Sequence, residues 1–184
     1  APPSSTTTPT GTVASTTSSI NLTGLSGSLS YTIWVRGNCG PNNFSQWSSV
    51  TFSTPIANDT AKDAIALVVN APCAGFSNSG ATNETGEPYA SCTVNGGASV
   101  WFKFNSPSTG AIRASVSGLF DTQLALFSAS DSSHYSTFQV LSCNEDASGA
   151  ASSVIYAANL VPGAIYYLMD DGYGGSTGQF CLAV

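Results

Sequence analysis

Charge is the scarcest property of this chain: its 184 residues include 4 Lys/Arg and 10 Asp/Glu, 8% in all. Long charged side chains normally cover the wet face of helices and carry high helix propensity, so a chain nearly without them is a poor helix former. What stands in their place is small and uncharged: 30 Ser, 19 Thr and 18 Gly. Thr joins Val, Ile, Tyr, Phe and Trp as a strand former, while Gly, Asn, Asp and Pro punctuate strands. With 42% hydrophobic residues a substantial core can form, and the expected class is all-β. The same scarcity excludes functions. Four cations displace too few counterions from phosphates for a nucleic-acid partner, and no run of 18 apolar residues occurs to insert into a membrane.

The five cysteines are Cys39, Cys73, Cys92, Cys143 and Cys181. They form no CxxC pair and His134 is the only histidine, which disfavours zinc. Disulfides in an oxidising, extracellular setting are the expectation. Cys73 and Cys92 bracket one Gly/Asn/Pro-rich loop, 72–95, and are expected to pair. Cys143 and Cys181, on strands late in the chain, form the second expected bridge. Cys39 is left without a partner within the chain.

Residues 1–19 form a Thr/Ser/Pro tract that reads as a flexible arm or as one edge strand over 11–17. Alternating apolar and polar residues then predict strands at 20–23, 31–36 and 47–53. After a linker at 56–63, where Asp59 is expected to cap a short turn, short strands recur. They are predicted at 65–69, 99–104, 111–116, 122–127, 138–143, 153–157, 165–169 and 179–184, a series that reads as a β-sandwich.

Leu22-Thr23-Gly24-Leu25, Tyr31 with Val35-Arg36, Ser45-Gln46-Trp47-Ser48 and Val50-Thr51-Phe52-Ser53-Thr54-Pro55 together resemble the C-terminal half of a fibronectin type III domain. The form with a cysteine after the Arg-x-x step is common in secreted Bacteroidetes proteins. The resemblance implies a partial fibronectin type III-like sandwich over 1–55 whose first strands are missing. Three strands with one apolar face need a cover. The expectation is that strands lie upstream, or that a neighbouring copy lends one and builds a filament.

The rest of the chain, 64–184, resembles the bacterial pre-peptidase C-terminal domain, which implies a jelly-roll-like β-sandwich. The residues that carry this begin with Asn58-Asp59-Thr60, Asn78-Ser79-Gly80 and Gly86-Glu87-Pro88. They continue through Val100-Trp101-Phe102-Lys103-Phe104, Asp121-Thr122-Gln123-Leu124 and Cys143-Asn144-Glu145-Asp146. The series closes with Leu160-Val161-Pro162-Gly163 and Gly178-Gln179-Phe180. Members are usually accessory modules of secreted peptidases and adhesins. A non-catalytic structural or adhesive segment of a secreted, multidomain bacterial surface protein follows. An accessory substrate- or carbohydrate-binding module of a secreted peptidase is the alternative. The expected partners are other domains of the parent protein, neighbouring copies, or a surface polysaccharide stacked on exposed aromatics such as Trp34.

Catalytic patterns are thin. Gly174-Gly175-Ser176-Thr177-Gly178 matches G-x-S-x-G, but lies between two strands rather than between a strand and a helix, so a Gly-rich hairpin is expected. His134, in a polar turn, has no second histidine to help it. The acidic residues gather at strand ends, and such oxygen-rich loops suit calcium. The expected ligands are Asp121, Asn144, Asp146 and Asp171, and the sandwich resemblance implies calcium near Asp121 and Asp146. Asp59-Thr60-Ala61 looks like the O-glycosylation acceptor used by Bacteroidetes, which makes Thr60 a modification candidate.

Overall fold

The computed structural model describes residues 14–17, 19–25, 29–41, 43–93, 96–147 and 151–184. The chain divides into two compact units, Ala1–Thr54 and Pro55–Val184. The expected edge strand at 11–17 falls largely outside the described residues. The described part of it, 14–17, is not a strand.

In the first unit, β1 (Ser30–Val35) pairs antiparallel with β2 (Ser48–Ser53). The register sets Tyr31 opposite Phe52 and Ile33 opposite Val50, so the alternation collects Tyr31, Ile33, Val35, Val50 and Phe52 on one face. That face stays open: Val35 is 59% and Val50 57% exposed. On the other face Thr32 and Thr51 share a hydroxyl hydrogen bond of 2.9 Å. In the connecting loop the Arg36 guanidinium lies 3.9 Å from the Phe44 ring centre and 4.6 Å from that of Trp47. The strand expected at 20–23 is absent. Its alternation is real, but the segment makes no ladder, and Ile20 and Leu22 remain exposed.

The second unit is a β-sandwich. One layer is a five-stranded mixed sheet in the order β3 (Ile65–Ala66), β5 (Val100–Asn105), β10 (Ile165–Gly172), β7 (Thr122–Ser128), β8 (Gln139–Asn144). The other is a four-stranded antiparallel sheet in the order β4 (Ala74–Ser77), β11 (Gln179–Ala183), β6 (Ile112–Gly118), β9 (Ser152–Ala157). Between them Val100, Phe102, Leu124, Leu126 and Leu168 from the first layer pack with Ala114, Val116, Ile155 and Leu182 from the second.

The five-stranded sheet is buried on both faces. Its outer face holds Trp101, Ala125, Phe127, Tyr167 and Met169, covered by Ala61, Ala64, Ala90, Tyr135 and Phe138 from connecting segments. Double burial explains why β7 and β10 read as near-continuous apolar runs. It also places Trp101 in a core, together with Val100, Phe102 and Phe104 on the opposite face. Around Trp101 the rings of Phe127, Tyr135 and Phe138 lie at centroid distances of 5.5, 5.8 and 5.3 Å.

Three expectations change here. Residues 56–63 are no linker: Ile56, Asn58, Asp59 and Ala61 are buried, and Asn58 exchanges backbone and side-chain hydrogen bonds with Trp101. Asp59 does not cap the 3-10 turn at Ala61–Asp63; its carboxylate accepts the Thr82 amide and hydroxyl. The loop 72–95 contains β4, hidden by a glycine that interrupts the alternation at Ala74-Gly75-Phe76-Ser77.

The disulfides are Cys73–Cys181 and Cys92–Cys143, a correction to the expected pairing of Cys73 with Cys92 and Cys143 with Cys181. The reason is topological. Cys73 leads into β4 in the four-stranded sheet, whose neighbour β11 carries Cys181 opposite Gly75. The chain then crosses to the outer face of the other sheet, where Cys92 meets the Cys143 of β8. The two cysteines of one loop thus end in different layers. Cys39 is exposed and has no disulfide partner among the described residues.

Candidate functional site

The strongest concentration of buried polar chemistry lies where β10 and β7 reach one end of the sandwich. β10 continues past its apolar run into Asp170, Asp171 and Gly172, all buried. Alternation sends Asp170 and Asp171 to opposite faces. Asp171 Oδ1 accepts the amides of Gly97 (3.2 Å), Ala98 (3.0 Å) and Gly172 (2.7 Å). Its Oδ2 fills the place of a side chain at Gly96, 1.8 Å from where a Cβ would stand, so only glycine fits there. Burial raises the Asp171 carboxyl and these three amides pull it back down.

Asp170 has no such support. It is fully buried, and neither carboxylate oxygen has a hydrogen-bond partner. Burial first, and the Asp171 charge second, raise its carboxyl well above the usual range. Thr122 Oγ1 and Asp121 Oδ1 are also buried and unpartnered. Asn144 is engaged, with Oδ1 accepting the Val154 amide at 2.9 Å and Nδ2 donating to the Asp146 carbonyl at 3.3 Å. Asp146 is exposed. The expected calcium quartet of Asp121, Asn144, Asp146 and Asp171 is therefore divided, with Asn144 and Asp171 committed to backbone. Among the described residues no three His, Cys, Asp or Glu side chains gather to hold a metal.

A second acidic group lies over the outer face. Glu87, 8% exposed, accepts Trp101 Nε1 at 2.6 Å and the Ser99 hydroxyl at 2.8 Å. Burial pushes its carboxyl up to about 7, while Trp101 and Ser99 pull the other way. Glu84 beside it is also raised, by burial and by the Asp59 charge. Asn78, fully buried, ties three segments together by donating to the Ala98 and Ser176 carbonyls and accepting the Gly178 amide. Glu87 and Asn78 entered the sequence analysis only within the pre-peptidase resemblance. A glutamate two residues from a tyrosine and fourteen before a tryptophan carries no local sign of the contact. Asp170 did carry a signal, since an acid directly continuing the run Ile165–Met169 extends a buried strand.

The other candidates lie apart from these groups. His134 is exposed, its Nδ1 2.8 Å from Asp131 Oδ2. The Gly174–Gly178 stretch includes a 3-10 turn with positive φ at Gly174 and Gly175. It is not a hairpin: it carries the chain from β10 in one sheet to β11 in the other. Thr60 is half-buried and its hydroxyl donates to Asp63 Oδ2. Trp34 is half-exposed. A shallow groove of about 350 Å³ runs beside the edge strands β8 and β9, lined by Leu141, Tyr156, Asn159 and Tyr166. Tyr156 is 71% exposed.

Comparison of the chain with protein-family models, with curated proteins and with solved structures finds no match.

Proposed function

We propose that this chain is a non-catalytic structural and adhesive segment of a secreted, multidomain bacterial surface protein. In this reading its second unit is a jelly-roll-like module of the pre-peptidase C-terminal type, and its first unit is part of a fibronectin type III-like sandwich. The observation that carries the reading is the pair of disulfides, each fastening a segment remote in sequence onto its sheet. Bridges of this kind form and persist in oxidising compartments. They accompany a surface made polar by Ser, Thr and Asn rather than by Lys and Glu.

The open apolar face of β1 and β2 fits the same reading. It is closed by further β structure of the parent protein, or by a strand from a neighbouring copy, in which case the chain forms filaments. Size-exclusion chromatography with light scattering on the 184-residue chain tests this. Polymers dispersed by polar substitution of Ile33 and Val50 support strand complementation. A stable monomer whose β1 and β2 amides are strongly protected from exchange overturns the need for any cover.

The groove at β8 and β9 favours a second reading, an accessory module that binds polysaccharide on the exposed ring of Tyr156. Affinity electrophoresis through cell-wall polysaccharides, with Tyr156→Ala as control, distinguishes it: retardation abolished by the substitution supports binding, and unchanged mobility for both proteins removes it.

A further inference from the structure

Buried carboxylates in folded proteins are paired, hydrogen-bonded or bound to a cation, because an isolated one costs far more than the fold's margin of stability. Asp170 has neither oxygen partnered. Protonation alone leaves its new O–H as a buried donor without an acceptor, itself a penalty.

Its surroundings supply oxygen. In the ladders Asp170 stands opposite Val100 on one side and Leu124 on the other. Both belong to the core between the sheets, so Asp170 projects into that space. Thr122 is opposite Gly172, one strand across from Asp170 and two residues along, on the same face. Its Oγ1 is buried and unpartnered. From the facing sheet the Ser153 hydroxyl approaches the Thr122 carbonyl oxygen at 2.5 Å and the Glu145 carbonyl oxygen at 2.7 Å. One hydroxyl proton cannot serve both carbonyls fully.

We propose that the sandwich end holds a calcium ion, with the Asp170 carboxylate as its anionic ligand and Thr122 Oγ1, the Thr122 and Glu145 carbonyls and the Ser153 hydroxyl completing the shell. The donor set is oxygen only, which selects a hard cation, and calcium accepts the irregular mixture of carboxylate, hydroxyl and carbonyl ligands that magnesium resists. These ligands differ from the expected set of Asp121, Asn144, Asp146 and Asp171: the site lies further inside, and its main ligand is the acid that extends β10.

The test uses the whole 184-residue chain stripped with EDTA. Calcium at about 100 times its dissociation constant is expected to raise the melting temperature by about 5–10 °C. Terbium is expected to bind in its place and to be excited through Trp101, on the strand next to Asp170. Asp170→Asn is expected to abolish both effects, Thr122→Val to weaken terbium binding about 10-fold, and Asp146→Asn to leave both intact. If Asp170→Asn fails to fold, Thr122→Val and Asp146→Asn still decide. The proposal is overturned if neither ion affects the native chain, if Thr122→Val binds like the native chain, or if Asp146→Asn alone abolishes binding.

Discussion

In the first unit Ile33 and Val50 face each other across a two-stranded ladder, and nothing described in that unit closes over them. In the second, Leu126 and Leu168 face each other across an equivalent antiparallel ladder and both are fully buried, because a second sheet packs on top. Both ladders set aliphatic residues opposite one another, but β1 and β2 alternate apolar with polar residues, whereas β7 and β10 are near-continuous apolar runs. The difference lies in the number of strands and in the fastenings. Among the described residues the second unit has nine strands in two layers and both disulfides. It also holds every one of the ten acids, whereas Arg36 is the sole charged side chain of the first 54 residues. Alternation makes a ladder, but a stable unit needs a second layer.

The comparison breaks most sharply at the disulfides. Removing Cys92–Cys143 by a double Cys→Ala substitution is expected to cost about 4 kcal/mol, and removing Cys73–Cys181 about 5 kcal/mol, in the chain-entropy picture. Cys39→Ser in the first unit is expected to cost nothing measurable in denaturant unfolding. Non-reducing peptide mapping that joins Cys73 to Cys92 contradicts the layered arrangement itself.

Next in size is the aromatic cluster. Trp101→Ala is expected to destabilise the second unit by about 3–5 kcal/mol. Trp101→Phe keeps the ring but leaves Glu87 without its indole donor, and is expected to cost about 1–3 kcal/mol. Denaturation followed by fluorescence of Trp34 and Trp47 is expected to report an unchanged first unit in both variants.

The two units also part company over pH. Glu87 is raised to about 7 in the fold, above the ordinary carboxylate value it regains on unfolding. Its contribution to stability is therefore complete below that ordinary value and is lost as the pH rises through about 7. Glu84 is raised in the same direction and faces it. In EDTA the melting temperature of the second unit is expected to fall between pH 5 and pH 8, and Glu87→Gln to flatten that fall. The first unit, without a carboxylate side chain, is expected to show no slope. A second unit equally flat in the native chain contradicts the assignment of Glu87.

The smallest effect sharpens the contrast. Val35→Thr and Val50→Thr, on the open face, are expected to change stability by less than about 0.5 kcal/mol in the monomer. A penalty near 2 kcal/mol measured by denaturant melts instead identifies a cover already in place.

The ladders were legible in the sequence because each strand carries its own evidence of alternation or apolar continuity. Val100, Phe102 and Phe104 announced a core through alternation, whereas Trp101 lies on the opposite face and is buried by segments that the strand's own pattern does not reveal. What escaped depended on distant partners. The segment Ile20–Thr23 alternates like a strand and makes no ladder, while Ala74–Ser77 alternates poorly and is recruited by β11. Cysteine spacing indicated the bridges but not their pairing, because the path of 72–95 between layers is not a local property. The calcium expectation rested on acids at strand ends. The backbone had already engaged Asn144 and Asp171, and the unsatisfied acid, Asp170, lay one residue beyond the strand boundary read from the apolar run.

The Cys73–Cys181 link has a mechanical consequence. Tension applied between Pro55 and Val184 passes through the bridge and bypasses the 107 residues it encloses. Only the segments outside it, 55–73 and 181–184, can be drawn out, to about 80 Å at full extension, where the unbridged unit would stretch to about 450 Å. Under tension the bridge thus limits the second unit to a small part of its contour length, and the larger lengthening of the chain comes from the unbridged β1–β2 unit.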